Sequence, residues 1–378
     1  MVPIATLRSL NLRLALLVSV ACTAGAHALA QTVPAIDSTQ PIAAPAIALV
    51  LPNQQGIFAA AAEAVRQGFF AAHKVSGSTA TIQVIEVGDD VEQVGSALAA
   101  ARDRGVRVAI GPLRRDEVNA IVEGGRAVLP LVTLNFPDRD AGAPATMIAF
   151  ALSAEAEADR VVQIALASFV NLRPGVSTGA RIMVLAGTGA IERRIAQAYV
   201  TTLRAAGEVP VTIEATPAAL DRLGRQFETG TYDAVFLALS AREASLVRPR
   251  IPRGIAIFGT SLLNVGDPAG SPVASALAFD LEGVRFVDMP WLLQPDHPAV
   301  MVYPPPARPM TLEMARLYAL GIDAFRISQV WMKGELRFEV DGVTGRLRAD
   351  RAQSVRVERT PTAAIYRNGT IEREEVAR

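Results

Sequence analysis

Short apolar runs alternate with longer segments of helical period along most of the chain. A first set of runs lies at 46–52, 81–87, 106–112 and 129–135, and a second at 181–187, 209–215, 233–239 and 255–260. Continuous apolar runs, rather than strict alternation, are typical of parallel strands that are covered on both faces. The pattern therefore predicts an α/β protein with two doubly wound, Rossmann-like lobes in tandem.

The sequence also predicts the positions of three helices, and the apolar faces of two of them. One runs over 150–169, where Ser153 can cap the first turn and Glu155 and Glu157 suit its positive end. The second lies in the second set of strands, with a core-facing stripe at Ile191, Ile195, Tyr199 and Leu203. The third covers 311–332, and its apolar face carries Met314, Tyr318, Ile322 and Phe325.

The tail changes to a period of two, with turn pairs at Asp341-Gly342 and Asn368-Gly369. This pattern predicts an antiparallel ribbon over 336–370. We expect lobe 1 to comprise 46–150, completed by the 311–332 helix, and lobe 2 to comprise 151–288, completed by the ribbon. The chain would then cross between the lobes more than once.

The first 45 residues differ from the rest. Arg8 and Arg13 precede the apolar run "LALLVSVA", and small residues follow at Ala28 and Ala30. This pattern predicts an export signal over 1–30, cleaved between Ala30 and Gln31. The next segment, 31–45, is rich in proline and is interpreted as a linker.

The single cysteine, Cys22, lies at the end of the apolar run. Either it is the acylated first residue of a mature lipoprotein, which would anchor the chain to the outer membrane, or it is discarded with the signal. No other apolar run approaches the roughly 20 residues of a membrane span, so no transmembrane segment is expected in the mature chain. Thiol catalysis and disulfides are excluded in either case.

Composition narrows the function classes. Lysine plus arginine and aspartate plus glutamate number 37 each, and aromatic residues make up 5%, so a nucleic-acid partner is not expected. The three histidines, His27, His73 and His297, lack the spacing of metal ligands. No G-x-S-x-G elbow or S-x-x-K motif followed by K-T-G occurs. We therefore expect no enzyme, no metal and no cofactor.

One strand-to-helix turn, Gly187-Thr188-Gly189, is similar to a dinucleotide-binding turn. The third glycine of that motif would fall at Glu192. A side chain there obstructs close packing, and its charge opposes a pyrophosphate at the helix start. The turn is therefore interpreted as an ordinary strand-to-helix connection.

Several segments resemble the penicillin-binding-protein activator family, also called LppC or LpoA. They are "IALVLP" at 47–52, "IGPL" at 110–113, "FALSAEAEA" at 150–158, "LEGVRFVDMPWLL" at 281–293 and "RLYALGIDAFRI" at 316–327. The resemblance implies a type I periplasmic binding protein fold, in which two lobes flank a cleft and the chain crosses between them three times. It also implies a periplasmic location and a non-catalytic role, in which direct contact activates a bifunctional peptidoglycan synthase, a penicillin-binding protein. Larger members carry an N-terminal helical-repeat domain, whereas here only a short segment precedes residue 46.

The alternative is a solute receptor of an ABC transporter or sensor, of the amino-acid or branched-chain type. Ligands of open α/β sheets bind beyond the carboxyl ends of the strands. The candidate cleft-lining residues are Pro52, Gln54, Gly56, Gly111, Pro112, Leu113, Arg114, Asn135, Phe136, Gly187, Thr188, Asp288 and Trp291. Leu113, Arg114, Asn135 and Phe136 stand where a receptor for amino acids would need hydroxyl groups.

For three of these candidate residues, the sequence leaves two interpretations open. Arg114, with Arg115, could clamp an anion, or the charged run through Asp116 and Glu117 could form the solvated first turn of a helix. Asp288 and Trp291 either line the cleft or serve the structure, with Trp291 wedging the lobes and Asp288 capping a turn. Pro290, which has no N–H, would end the crossover strand 284–288.

Overall fold

A computed structural model describes residues 46–125, 127–172, 180–230 and 232–374. These residues belong to one compact unit, Ala44–Arg378. The predicted signal peptide, Cys22, the cleavage site at Ala30 and Gln31, and the linker 31–45 lie outside the described residues.

Lobe 1 is built on a five-stranded parallel sheet with the strand order β2-β1-β3-β4-β5. The strands are β1 (Ala46–Pro52), β2 (Thr81–Val87), β3 (Val106–Ile110), β4 (Leu131–Thr133) and β5 (Met147–Ala149). The connecting helices are α1 (Ala59–Ser76), α2 (Gln93–Asp103) and α3 (Arg115–Glu123). The four predicted strands are all present. Strand β5 was not predicted, because it is only three residues long.

Lobe 2 is built on a seven-stranded sheet with the order β15-β14-β10-β9-β8-β6-β7. Its parallel part contains α4 (Ala154–Leu172), β6 (Ile182–Ala186), α5 (Ala190–Ala205), β7 (Val211–Glu214), α6 (Pro217–Thr229), β8 (Ala234–Ala238), α7 (Ala241–Val247), β9 (Ala256–Gly259), α8 (Pro272–Asp280) and β10 (Val284–Asp288). Two short 3-10 helices lie at Arg248–Arg250 and Ser261–Leu263. The predicted fold class, two doubly wound α/β lobes, is confirmed.

The rest of the chain crosses between the lobes. It forms α9 (Pro290–Leu293), α10 (Pro298–Met301), α11 (Leu312–Met332), β11 (Arg337–Asp341), β12 (Arg346–Asp350), β13 (Glu358–Thr360), β14 (Thr362–Arg367) and β15 (Thr370–Glu374). Helix α11 packs against α1 in lobe 1. We call the three crossing segments, 150–153, 289–311 and Pro361, the hinge.

Two glycines allow the close approach of α1 and α11. A Cβ atom at Gly68 would lie under 3.0 Å from the carbonyl oxygen of Tyr318, and one at Gly321 would lie as close to that of Val65. Side chains at either position would therefore force the two backbones apart. The contact fixes α11 to lobe 1, although the helix follows lobe 2 in the chain.

The structure differs from the prediction that the whole 336–370 ribbon completes lobe 2. Only β14 and β15 join that sheet, where β14 pairs antiparallel with β10. Strands β11, β12 and β13 form a separate three-stranded sheet, and Phe338, Val340 and Leu347 lie in the core of lobe 1. The alternating pattern predicts paired strands but carries no information on which lobe they cover.

Candidate functional site

The carboxylate of Asp288 connects the two lobes at the end of β10. Its side chain is 1% exposed, and it pairs with Arg316 of α11 through both oxygens, at 2.6 Å to Nη2 and 3.1 Å to Nε. Asn264 Nδ2 also donates to Asp288 Oδ2 at 2.8 Å. A bidentate arginine pair of this kind fixes both distance and orientation. It ties the last residue of the crossover strand to a helix of the other lobe.

Arg316 has a second partner in lobe 2. Besides the pair with Asp288, its Nη2 donates to the carbonyl oxygen of Ser261, at the start of the 3-10 helix after β9, at 3.1 Å. Burial lowers the pKa of Arg316, but the charge and hydrogen bonds of Asp288 outweigh burial, and the net pKa is raised above its ordinary value. The guanidinium therefore remains charged and continues to pair with Asp288.

A second buried ion pair lies beside the first. Glu157 near the start of α4 and Arg359 of β13 are each 8% exposed, and Oε2 lies 2.9 Å from Nη2. Glu157 Oε1 accepts a hydrogen bond from the backbone N–H of Ser261 at 2.6 Å, and Arg359 Nη1 donates to the carbonyl oxygen of Thr344 at 3.1 Å. Ser261 is thus common to both ion pairs. Together they form one polar network across the hinge.

Asp323 of α11 holds the turn between β11 and β12. The completely buried carboxylate accepts from the N–H groups of Val343 and Thr344, at 3.1 and 2.8 Å, and from the Thr344 hydroxyl at 2.7 Å. Burial raises the pKa of Asp323, opposed by these hydrogen bonds and by Arg326. A Cβ at Gly342 would lie 2.5 Å from Asp323 Oδ2, so this turn requires glycine.

Trp291 makes the contacts of a packing residue. Its ring lies 5.3 Å from that of Tyr318 and packs against the core of lobe 1, while its backbone N–H donates to the carbonyl oxygen of Val343 at 2.9 Å. Pro290 is the first residue of α9 and ends the strand, as predicted. For Asp288, neither alternative from the sequence included its partner, Arg316.

The strand ends of lobe 1 have most of their polar groups engaged locally. Pro52, Gly111 and Pro112 are buried, whereas Gln54 and Gly56 are exposed. Gln54 Nε2 donates to Glu86 at 2.7 Å. The fold, rather than a ligand site, requires glycine at position 111, because a Cβ there would lie under 3.0 Å from the carbonyl oxygen of Val50.

The loop after β4 is stabilised in the same way. Asn135 Nδ2 donates to the carbonyl oxygen of half-buried Leu113 at 3.2 Å, and Asn135 Oδ1 accepts from the N–H of Phe136 at 3.0 Å. The ring of Phe136 is buried beneath the guanidinium of Arg356, at 4.8 Å from its centre. These side chains serve the loop itself.

Arg114 is surrounded by carboxylates. It pairs with Asp116, lies 3.5 Å from Asp89 and 3.9 Å from Glu117, and stands over the ring of Phe58 at 5.7 Å. A free anion would have to displace these partners. The clamp hypothesis for this residue therefore has little support from the geometry.

The prediction of a solvated first turn in α3 is wrong for one residue. Glu117 is completely buried, and its Oε2 accepts from the N–H of Arg114 at 3.2 Å. Burial raises the pKa of Glu117 to about 7, against the opposing effect of the Arg114 N–H and charge. The position is therefore part of the core rather than of the charged surface.

In lobe 2, Glu192 fills the turn after β6. Gly187 is buried and Thr188 is exposed, and Cβ atoms at Gly187 or Gly189 would lie under 3.0 Å from the Glu192 side chain. The carboxylate therefore lies over the start of α5, where a bound pyrophosphate would need to be. This geometry supports the interpretation of the turn as an ordinary connection.

The described residues contain no group of three or more His, Cys, Asp or Glu side chains that could hold a metal ion. No helix in the described part of the chain is long and apolar enough to cross a membrane.

Comparison with known proteins decides the family. The model of the family described as "LppC putative lipoprotein" matches residues 23–221 and 218–369. The chain belongs to the LppC family. Among its relatives, the penicillin-binding protein activators LpoA of Erwinia tasmaniensis and Pantoea ananatis are 29% and 26% identical, over 76% and 78% of this chain. The chain spans about half the length of these relatives, 48% in each case.

Solved structures show the fold of this LppC protein. The LpoA C-domain of Haemophilus influenzae, described as a regulator of PBP1A, aligns with a TM-score of 0.68 at 22% identity, over 87% of this chain and all of that one. A "putative branched-chain amino acid ABC transporter" from Chromobacterium violaceum aligns with a TM-score of 0.70 at 32% identity, over 85% of this chain and 99% of that one. The fold is thus of the type I periplasmic binding protein kind, as the sequence implied.

The residues of the hinge network were missed from the sequence, apart from Asp288. A signal was present: Glu157 lies inside the segment 150–158 of family resemblance, and Arg316 and Asp323 lie inside 316–327. Arg316 and Asp323 are seven residues apart, two helical turns, so they share one side of α11. Charged residues on the inward side of an apolar helix need partners, which would have pointed to the network.

Proposed function

We propose that this LppC protein is a non-catalytic periplasmic regulator of peptidoglycan synthesis that activates a penicillin-binding protein by direct contact. The observation that carries the proposal is the LppC match over most of the chain, together with relatives named as penicillin-binding protein activators. The strand ends add support, because Arg114, Asn135 and Glu192 are engaged or positioned within the fold.

A reconstituted assay tests the proposal. The mature protein and a bifunctional penicillin-binding protein from the same genome would be purified, and glycan polymerisation and cross-linking from lipid II would be followed with and without the mature protein. We expect stimulation that saturates with the concentration of the mature protein. An unchanged rate, together with no binding between the two proteins, would contradict the proposal.

The solute receptor remains a second candidate, favoured by one observation. The Chromobacterium violaceum protein named as a branched-chain amino acid transporter is 32% identical to this chain. Calorimetric titration with leucine, isoleucine and valine separates the two candidates. Saturable binding to the cleft without effect on the synthase would favour the receptor.

The family indicates the cellular compartment of the protein. Its membership of LppC and its LpoA relatives both imply a periplasmic, envelope-associated protein. We propose further that Cys22 is acylated and anchors the protein to the inner face of the outer membrane. The description of the family as lipoproteins supports this assignment over a discarded Cys22.

A further inference from the structure

A groove of about 310 Å³ lies between helices α2 and α3 on lobe 1. Val94 and Leu98 of α2 and Ile121 of α3 form its apolar floor, and each of the three is nearly fully buried. Gly95 and Ala120, one from each helix, also line it. Small residues on both walls leave space for a side chain from outside.

The glycine in the wall of the groove has no role in the fold. Gly95 is exposed in the third position of α2, its φ is not positive, and a Cβ there would meet nothing within 4 Å. Glycine is less favourable than alanine in a helix. By contrast, Gly68 of α1 is required by a backbone contact. The missing side chain at Gly95 therefore affects the groove and not the packing of lobe 1.

The rim of the groove is acidic. Glu92 precedes α2 and Glu123 ends α3, and both carboxylates are exposed. Neither forms an ion pair with a basic side chain in the part of the chain that the structure describes. Val128, which is 37% exposed, adds apolar surface to the lining. The groove therefore combines an apolar floor with two exposed carboxylates that no basic side chain among the described residues pairs with.

We infer that this groove, lined by Gly95 and Ala120 and rimmed by Glu92 and Glu123, is a docking surface for a protein segment that inserts an apolar side chain and presents flanking Lys or Arg. Under the proposed function, on which this inference rests, that segment belongs to the penicillin-binding protein. A symmetric groove-to-groove pairing of two copies is disfavoured, since it would bring two acidic rims together. An apolar anchor in a pocket with a charged rim is the usual anatomy of a binding hot spot.

Binding of the mature protein to the purified synthase tests the inference. Gly95→Trp fills the groove, and the double variant Glu92→Lys, Glu123→Lys reverses its charge. We expect each to raise the Kd about tenfold or more. Raising the salt concentration should weaken binding of the wild type and strengthen binding of the charge-reversed variant, because salt screens attraction to the basic segment in the first case and repulsion in the second.

Matched controls come from α6 in lobe 2. Gly224, like Gly95, has no atom within 4 Å of a Cβ placed on it, and Glu228 is an exposed acid on the same helix. Gly224→Trp and Glu228→Lys should leave the Kd within about twofold of the wild type. Circular dichroism melts of all variants would show that the fold is retained.

The outcomes separate the inference from the proposed function. Wild-type binding to the synthase with equal binding by Gly95→Trp would overturn the groove assignment and leave the regulator standing. Failure of the wild type to bind the synthase would overturn both. If sedimentation showed that Gly95→Trp abolishes self-association rather than synthase binding, a second copy would be the occupant and the inference would be wrong.

Discussion

Asp288 and Arg316 form a bidentate ion pair, 2.6 Å from Oδ2 to Nη2, between the end of the crossover strand of lobe 2 and helix α11 of lobe 1. Both partners are largely buried, and Asn264 and the backbone of Met289 supply the remaining donors to the carboxylate. A buried charge of this kind is tolerated only while its partners remain in place. The pair therefore makes the relative position of the two lobes sensitive to single substitutions.

Arg316→Met should leave Asp288 as an uncompensated buried charge. We expect the free energy of unfolding to fall by about 3–5 kcal/mol, measured by urea denaturation near neutral pH. The double variant Arg316→Met, Asp288→Asn should recover part of this loss because the charge is removed. A loss below about 1 kcal/mol for the single variant, the value of an exposed pair, would show that the pair does not stabilise the hinge.

The Glu157–Arg359 pair should show strong coupling in a double-mutant cycle. Glu157→Gln and Arg359→Met, singly and together, isolate the interaction between two residues that are each 8% exposed. We expect a coupling energy of about 1–3 kcal/mol. The exposed pair Arg102–Asp103, at 2.8 Å, is the matched control, with an expected coupling below about 0.5 kcal/mol. Equal coupling in the two pairs would contradict the assignment of a buried network.

Glu117 should make stability depend on pH. Its pKa in the folded protein is raised to about 7, so the folded state favours the protonated form. Its contribution to stability is therefore fully present below the unfolded pKa and is lost as the pH rises through the folded pKa. We expect the unfolding free energy to fall by up to about 3 kcal/mol between roughly pH 4.5 and 7 from this group.

Glu117→Gln should remove that fall, since the amide does not titrate and can still accept from the Arg114 N–H. Urea denaturation at a series of pH values measures the effect. Glu123→Gln, an exposed substitution in the same helix, is the control and should leave the pH profile unchanged. An unaltered pH profile in Glu117→Gln would rule out Glu117 as its source.

Two Gly→Ala substitutions should have opposite signs. Gly321→Ala would place a Cβ under 3.0 Å from the carbonyl oxygen of Val65, and we expect a loss of about 3 kcal/mol or a failure to fold. Gly95→Ala meets nothing within 4 Å and should stabilise α2 by roughly 0.5–1 kcal/mol. Thermal melts of both variants would measure these two effects on stability. Stabilisation by Gly321→Ala would refute the close contact between α1 and α11.

The state of Cys22 decides whether the protein is anchored to the outer membrane. If it is acylated, the wild type should incorporate radioactive palmitate and fractionate with the outer membrane, whereas Cys22→Ser should do neither. An unlabelled wild type whose N-terminal sequence begins at Gln31 would show instead that the cysteine is removed with the signal.

The hydrophobic pattern was sufficient for the architecture. Each of the eight apolar runs of the two sets contains a strand. Three residues of the predicted stripe in α5, Ile195, Tyr199 and Leu203, are buried, whereas the prediction is wrong for Ile191, which is 43% exposed. The strand at 147–149 was not predictable, because three residues are too few to show a period. The division of the tail between the lobes was not predictable, because an alternating pattern carries no information on which lobe a strand covers. The functional residues were harder still: Asp288 was identified as a candidate, but its partner Arg316 lies 28 residues further along the chain.

The sequence by itself determined the two lobes, the order of their strands and helices, and the resemblance that places the chain in its family, because burial and backbone hydrogen bonding act locally and leave a periodic trace. Only the tertiary structure decided which charges meet across the hinge, that Glu117 is buried, and that α2 and α3 leave a groove between them. These features arise where separate segments come together. A charged residue looks the same in the sequence whether its partner is water or a buried carboxylate on another lobe.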